Sequence, residues 1–292
     1  MRNGINFFLK NLIDLKLSKI EEHFSCDVIW YFWEMTPTVL RNFRDFIEEL
    51  KQCPDKNHKN PDRLVIVLNT PWWSAEAVEK IVDIIRYNYK EVYFIVPDYA
   101  MSAWTIFCMS WDKIYMDYTS SLWPIDPQIY SAKENRFVPA LWYLDKVEEL
   151  VEKSKHDTIS PAEMIMIQTQ DLAMLKACEQ AKNLSIKLLQ EWLVKYKFKE
   201  WQYHSQDNSL VTQQEKEKRA EEIANILSDN KERSSHGRYI KIDKLEKIVK
   251  LKIDDYSNNE KLSKIIREYH DFITEYIGPN SRGVFLHSRY YF

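Results

Sequence analysis

Between residues 26 and 116 the chain alternates short, uninterrupted aliphatic runs with stripes of helical period, and no other feature of the sequence narrows the fold as far. Residues 64–68 read Leu-Val-Ile-Val-Leu, and residues 91–96 place Val92, Phe94, Ile95 and Val96 in one run. A strand without a polar side is covered on both faces, which is the mark of a parallel sheet held between layers of helix. Residues 26–32 and 113–116 read as further strands. Between them, residues 38–51 put Leu40, Phe43, Phe46, Ile47 and Leu50 on one helical face. Residues 75–88 do the same with Val78, Ile81, Val82 and Ile85, and residues 102–110 form a short helix. Strand and helix alternating at these spacings build βαβ units, so the predicted class is α/β, with a mostly parallel β-sheet and flanking helices.

The pattern changes after residue 155. Residues 161–198 are helical in period, with no strand signal and no proline after Pro161. A charged linker, 202–219, leads to helices at about 220–228, 244–248 and 261–277. The predicted division is an N-terminal helix (1–25), an α/β core (26–155) and a helical C-terminal region (156–292).

Composition removes several functions. With 45% hydrophobic residues, 29% charged residues and a net charge of -3, the chain is globular and offers no electrostatic case for nucleic acid or an anionic membrane surface. The first 22 residues mix Phe7, Phe8 and Leu9 with Lys10, Asp14, Lys16 and Lys19. That is an amphipathic helix, too charged for a signal peptide or a stable membrane insertion. Cys26, Cys53, Cys108 and Cys178 form no CxxC pair and read as reduced thiols of a cytoplasmic protein. No metal or other cofactor is expected.

Glycine is scarce. The chain holds 4 Gly and 10 Trp, whereas average usage predicts roughly 20 Gly in a chain this long. None of Gly4, Gly237, Gly278 and Gly283 falls within residues 28–150, where the strand-turn-helix signals lie. Three segments in that stretch sit where a strand hands over to a helix or loop. They are Asn69-Thr70-Pro71-Trp72-Trp73-Ser74-Ala75-Glu76-Ala77, Tyr99-Ala100-Met101-Ser102-Ala103-Trp104-Thr105 and Ser121-Leu122-Trp123-Pro124-Ile125-Asp126-Pro127-Gln128. Such handovers meet at the carboxyl edge of a parallel sheet, where sites in α/β folds are found.

Read with glycine at the tryptophan positions, the three segments resemble the serine dehydrogenase proteinase family, relatives of the ClpP peptidase and of signal peptide peptidase A. That family carries strings such as N-T-P-G-G-S-A-E-A, A-M-S-A-G-T and L-G-P-I-D-P-Q. Ser235-His236-Gly237-Arg238 is similar as well, so the resemblance runs from about residue 26 to residue 276. It implies a ClpP/crotonase-like core, a peptide or protein substrate, and a homo-oligomer with the C-terminal helices as interface.

The resemblance also implies roles. Ser102 matches the nucleophile, and the main-chain N–H groups of Trp72 and Ala103 match the two donors of an oxyanion hole. Trp73 and Trp104 fall on the substrate groove. Asp126 lies near the general base of ClpP-like relatives, and no histidine occurs between His58 and His156. Asp126 either activates Ser102 directly or orients a lysine such as Lys133, which needs a lowered pKa to act as base. Each residue has a plainer reading beside this one. Ser102 and Ser74 are placed as helix N-caps, Asp126 as a cap in a Pro-Ile-Asp-Pro turn, and His236 as part of a polar turn.

Trp33, Trp72, Trp73, Trp104, Trp111 and Trp123 stand at glycine positions of the family pattern, with Trp142 as a seventh; Trp30, Trp192 and Trp201 are ordinary strand and helix residues. Drift scatters replacements over several residue types, so one residue type at every site reads as deliberate substitution or as a heavily altered version of a natural parent. A strained turn costs about 1–3 kcal/mol, and six such sites rival the roughly 5–15 kcal/mol that holds a domain together. The expected function is a serine endopeptidase-like protein working through a Ser102 acyl-enzyme, impaired or inactive because indoles crowd the oxyanion hole. The alternatives are a pseudoprotease that binds without cutting and, less favoured, a crotonase-type acyl-CoA enzyme, whose chemistry needs no serine nucleophile.

Overall fold

The computed structural model describes residues 2–32, 39–53, 55–69, 75–100, 103–123, 125–131, 135–204, 206–228, 239–278 and 285–291. A long helix α1 (Arg2–Phe24) leads into β1 (Asp27–Phe32), α2 (Leu40–Gln52), β2 (Arg63–Asn69), α3 (Ala75–Asn88) and β3 (Glu91–Val96). Next come β4 (Tyr99–Ala100), α4 (Ala103–Met109), β5 (Lys113–Met116), β6 (Ser121–Leu122) and a hairpin of β7 (Gln128–Ser131) and β8 (Arg136–Pro139). The rest is α5 (Ala140–Lys155), α6 (Pro161–Gln168), α7 (Leu172–Trp192), a π-helical turn (Leu193–Lys197), α8 (Gln213–Ser228), α9 (Ile242–Lys247), β9 (Asp254–Asp255), α10 (Glu260–Ile277) and β10 (Phe285–His287).

The main sheet runs β10-β1-β2-β3-β5-β9. All its pairings are parallel except that of β10, which lies antiparallel on the edge of β1. Alternation along each strand explains the unbroken aliphatic runs. Ile29, Tyr31, Leu64, Ile66, Leu68, Val92 and Phe94 face α2, α3 and α4, whose buried residues join the same core. Val28, Trp30, Val65, Val67, Tyr93 and Ile95 face the layer of α1 and α10 on the other side. Burying an aliphatic side chain of this size contributes roughly 1.5–3 kcal/mol, so both faces earn their hydrophobicity.

Two expectations change. The long helical stretch 161–198 breaks at residues 169–171, where Asp171 caps α7 by accepting from the N–H groups of Ala173 and Met174, and it closes on a π-turn. The charged linker is half helix, since α8 begins at Gln213 and buries Ala220, Ile223, Ala224 and Leu227. Residues 156–292 are mostly helical, yet they also supply β9 and β10 and share the sheet and its core with residues 26–155. Turns without glycine fall on other residues. Ser25, Asn135, Asp157, Asn208 and Lys250 adopt φ of 49–58°, a region that asparagine and aspartate enter with least strain.

Candidate active site

Two of the three sequence motifs are stitched together by backbone. Beyond the end of β3, the short strand β4 pairs in parallel with β6, matching Tyr99 with Ser121 and Ala100 with Leu122. The Ser121 N–H donates to the Asp98 carbonyl at 2.9 Å, and the Trp123 N–H donates to the Ala100 carbonyl at 2.9 Å. From the first turn of α4, the buried Thr105 hydroxyl donates to the Trp123 carbonyl at 2.5 Å. The residues flanking Ser102 on both sides are therefore tied to the segment that runs on to Asp126. The third motif begins where β2 ends, next to β3 and against β4, so all three leave the sheet at its carboxyl edge.

Asp126 is buried, and its Oδ1 accepts the Leu141 N–H at 3.0 Å. Leu141 is the second residue of α5, so the carboxylate caps a helix fifteen residues away. Burial raises its pKa to about 7; the Leu141 N–H pulls it down and the Asp145 charge pushes it up. The same carboxylate acts across to α7, where burial first and Asp126 second push the Cys178 thiol up to about 11. A carboxyl group that titrates near neutrality is able to take or give a proton at working pH, which an ordinary surface aspartate is not.

Of the other residues singled out in the sequence, Trp72, Trp73, Ser102 and Lys133 lie outside the described residues, as do Trp33, Ser74 and His236. Ala103 and Trp104 open α4, described in backbone only. The flanks of the segment that carries His236 are held to the site. Leu227 accepts from the Ile125 N–H at 3.1 Å, and Ile240 exchanges both backbone hydrogen bonds with Leu122, at 3.0 and 2.6 Å. Trp123 is half-buried with its ring 6.2 Å from that of Tyr239. Trp111 is fully buried: Phe94 and Phe107 pack on it at 5.1 and 5.0 Å, and the Arg86 guanidinium lies 4.9 Å from its centroid. Trp142 is half exposed on α5.

Sequence reasoning passed over Thr105, whose place in the second motif was its one signal, and Cys178, which nothing in the local sequence connects to Asp126. Among the described residues, one group of metal-type side chains converges: Glu21, Asp27 and His58 bring their ligand atoms within 4.8 Å of one another. Arg289 already supplies positive charge there, at 3.0 Å from Glu21 and 2.6 Å from Asp27. The cluster sits at the amino end of β1, at the opposite edge of the sheet from Asp126. No helix among the described residues is long and apolar enough to cross a membrane.

Among curated sequences, the chain is similar to two uncharacterised proteins of Methanocaldococcus jannaschii, 36% and 33% identical over 64 residues, or 22% of this chain. The match spans 22% of the length of each of those relatives. Among solved structures, the chain is similar to a membrane-bound stomatin-specific protease in complex with a substrate peptide (15% identity, 81% of this chain and 77% of that one, TM-score 0.44). It is also similar to the catalytic domain of the ClpP protease of Plasmodium falciparum (16% identity, 59% and 82%, TM-score 0.30). Residues 47–214, which hold all three motifs, match the family of ClpP-like SDH-type serine proteinases, and the chain belongs to that family.

Proposed function

We propose that the chain is a serine peptidase in design, with Ser102 as the nucleophile that forms an acyl-enzyme on a peptide or protein substrate. The observation that carries this reading is the backbone stitching of the Ser102 flanks to the Asp126 segment, through Ala100, Thr105 and Trp123. In the proposed step the Ser102 hydroxyl attacks the scissile carbonyl, the N–H groups of Trp72 and Ala103 hold the oxyanion, and the amine leaves with the serine proton. Asp126, titrating near pH 7, takes that proton or orients Lys133 to do so.

With tryptophan at 72, 73 and 104, turnover is expected to be small or absent, since losing one oxyanion donor alone costs about a hundred- to a thousandfold. Such a chain holds a peptide segment without cutting it. Fluorophosphonate labelling and fluorogenic-peptide cleavage test the reading on three proteins: the chain itself, Ser102→Ala, and the triple variant Trp72→Gly, Trp73→Gly, Trp104→Gly. Labelling and hydrolysis gained in the triple variant and abolished by adding Ser102→Ala support it. A correctly folded triple variant that neither labels nor cleaves sinks it.

A further inference from the structure

At the amino edge of the sheet, remote from Asp126, a cavity of about 400 Å³ opens beside the first residues of β3 and β5. Four lysines (Lys113, Lys197, Lys199 and Lys252) and four acids line it. Two of the acids are already engaged. Asp112 accepts from Arg86 at 2.9 Å and pairs with Lys199, and Glu91 accepts from Arg63 at 2.8 Å and from the Tyr93 hydroxyl. With Arg63 and Arg86 counted behind the lining, the cavity and its backing carry two more positive groups than negative ones.

The π-turn sets one of these lysines apart. The Phe198 N–H donates to the Leu193 carbonyl at 2.8 Å, and the extra residue in that turn brings both Tyr196 and Lys197 to the cavity, with Tyr196 stacked 4.0 Å from the Arg86 guanidinium. Among the described residues, Lys197 makes no hydrogen bond and no ion pair. A partly buried ammonium whose nearest carboxylates act on it only at a distance favours a ligand that pairs with it directly.

We propose that this cavity binds a small oxyanion, a phosphate- or carboxylate-bearing molecule, which supplies the direct hydrogen-bonded partner that Asp112 and Asp254 do not give Lys197. Burial lowers the Lys197 pKa to about 8; Asp254, Asp112 and Cys108 pull it back up, and Lys252 pushes it down. At pH 8 roughly half of the molecules therefore present a neutral amine, and an anion that prefers the ammonium takes up a proton as it binds.

Calorimetric titration of the full chain at pH 8, with pyrophosphate and separately with citrate, in two buffers of different ionisation enthalpy, reads both affinity and proton uptake. Saturable binding with net proton uptake is expected, at least about tenfold weaker in Lys197→Met. In Lys197→Arg, whose side chain stays charged, binding persists without the uptake. Lys252→Met, which removes a second cation while leaving Lys197, is expected to weaken binding and to reduce the uptake, since Lys252 no longer pushes the Lys197 pKa down. Binding of pyrophosphate alone or of citrate alone identifies phosphoryl or carboxylate chemistry. Absence of saturable binding to either, or unchanged affinity in a folded Lys197→Met protein, overturns the proposal.

A second inference rests on a different observation and on the family resemblance. Six tryptophans stand at family glycine positions while the chain holds 4 Gly in all. Exchange of one residue type for one other at scattered sites is what a change in the reading of a single codon produces. UGA is read as tryptophan by some organisms and as glycine by others. We infer that the protein made in its own host carries glycine at 33, 72, 73, 104, 111 and 123. Fragmentation mass spectrometry of peptides from the host-made protein decides it directly: glycine at those positions is expected, and tryptophan overturns the inference whatever the enzymatic outcome above.

Discussion

The buried carboxyl of Asp126 makes a quantitative prediction about stability. Its pKa rises from 3.8 in the open chain to about 7 in the fold. Between those values the folded state holds a proton that the unfolded state has released, so stability falls with rising pH by about 1.4 kcal/mol per pH unit. The group costs nothing below about pH 4, and above pH 7 its accumulated cost reaches about 4 kcal/mol. Asp126→Asn keeps an oxygen for the Leu141 N–H and removes the charge. Urea unfolding of the chain and of Asp126→Asn, at pH 5 and at pH 8, separates this group from every other that titrates in the range. The variant is expected to gain about 1.5 kcal/mol at pH 5 and about 4 kcal/mol at pH 8. An equal effect at the two pH values, or a loss at pH 8, refutes the burial argument.

Three smaller perturbations test the rest of the framework. Thr105→Val removes the hydroxyl that holds the Trp123 carbonyl; a loss of about 1–3 kcal/mol in urea is expected, together with slower fluorophosphonate labelling in the glycine-restored chain. Arg289→Met leaves Glu21 and Asp27 buried without their cation, which costs about 3–5 kcal/mol and is expected to raise hydrogen exchange in β10 before the rest of the sheet. Phe94→Ala opens a cavity between Phe107 and Trp111, at a cost of about 3–5 kcal/mol in unfolding free energy, read from a lowered urea midpoint.

The strands and helices of the first half were legible because each of their signals is local. The run 64–68 has no polar residue, and two-faced burial is the one environment that accepts it; the structure puts Leu64, Ile66 and Leu68 on one core and Val65 and Val67 on the other. The predicted helix at residues 75–88 and strand at residues 91–96 match α3 and β3 residue for residue, because a stripe of Val78, Ile81, Val82 and Ile85 and a run ending in Val96 have sharp polar boundaries. The charged stretch before residue 220 misled for the same reason. Its one apolar stripe, Ala220, Ile223, Ala224 and Leu227, begins midway along α8, while Gln213 to Arg219 extend the helix into water without any apolar mark of their own.

Sequence alone determined the α/β class, the parallel strands of the core and the three motif segments, since strand and helix periods are written in neighbouring residues. Tertiary structure alone decided which distant groups share an environment. Asp126 became a carboxyl titrating near neutrality because the fold buries it and sets the Asp145 charge of α5 nearby, against the downward pull of the Leu141 N–H. The C-terminal tail became a strand of the main sheet because β1 offered an open edge, with Arg289 drawn to two buried carboxylates. Burial and charge pairing act between surfaces brought together by the whole fold, and no pattern in a short window of residues encodes them.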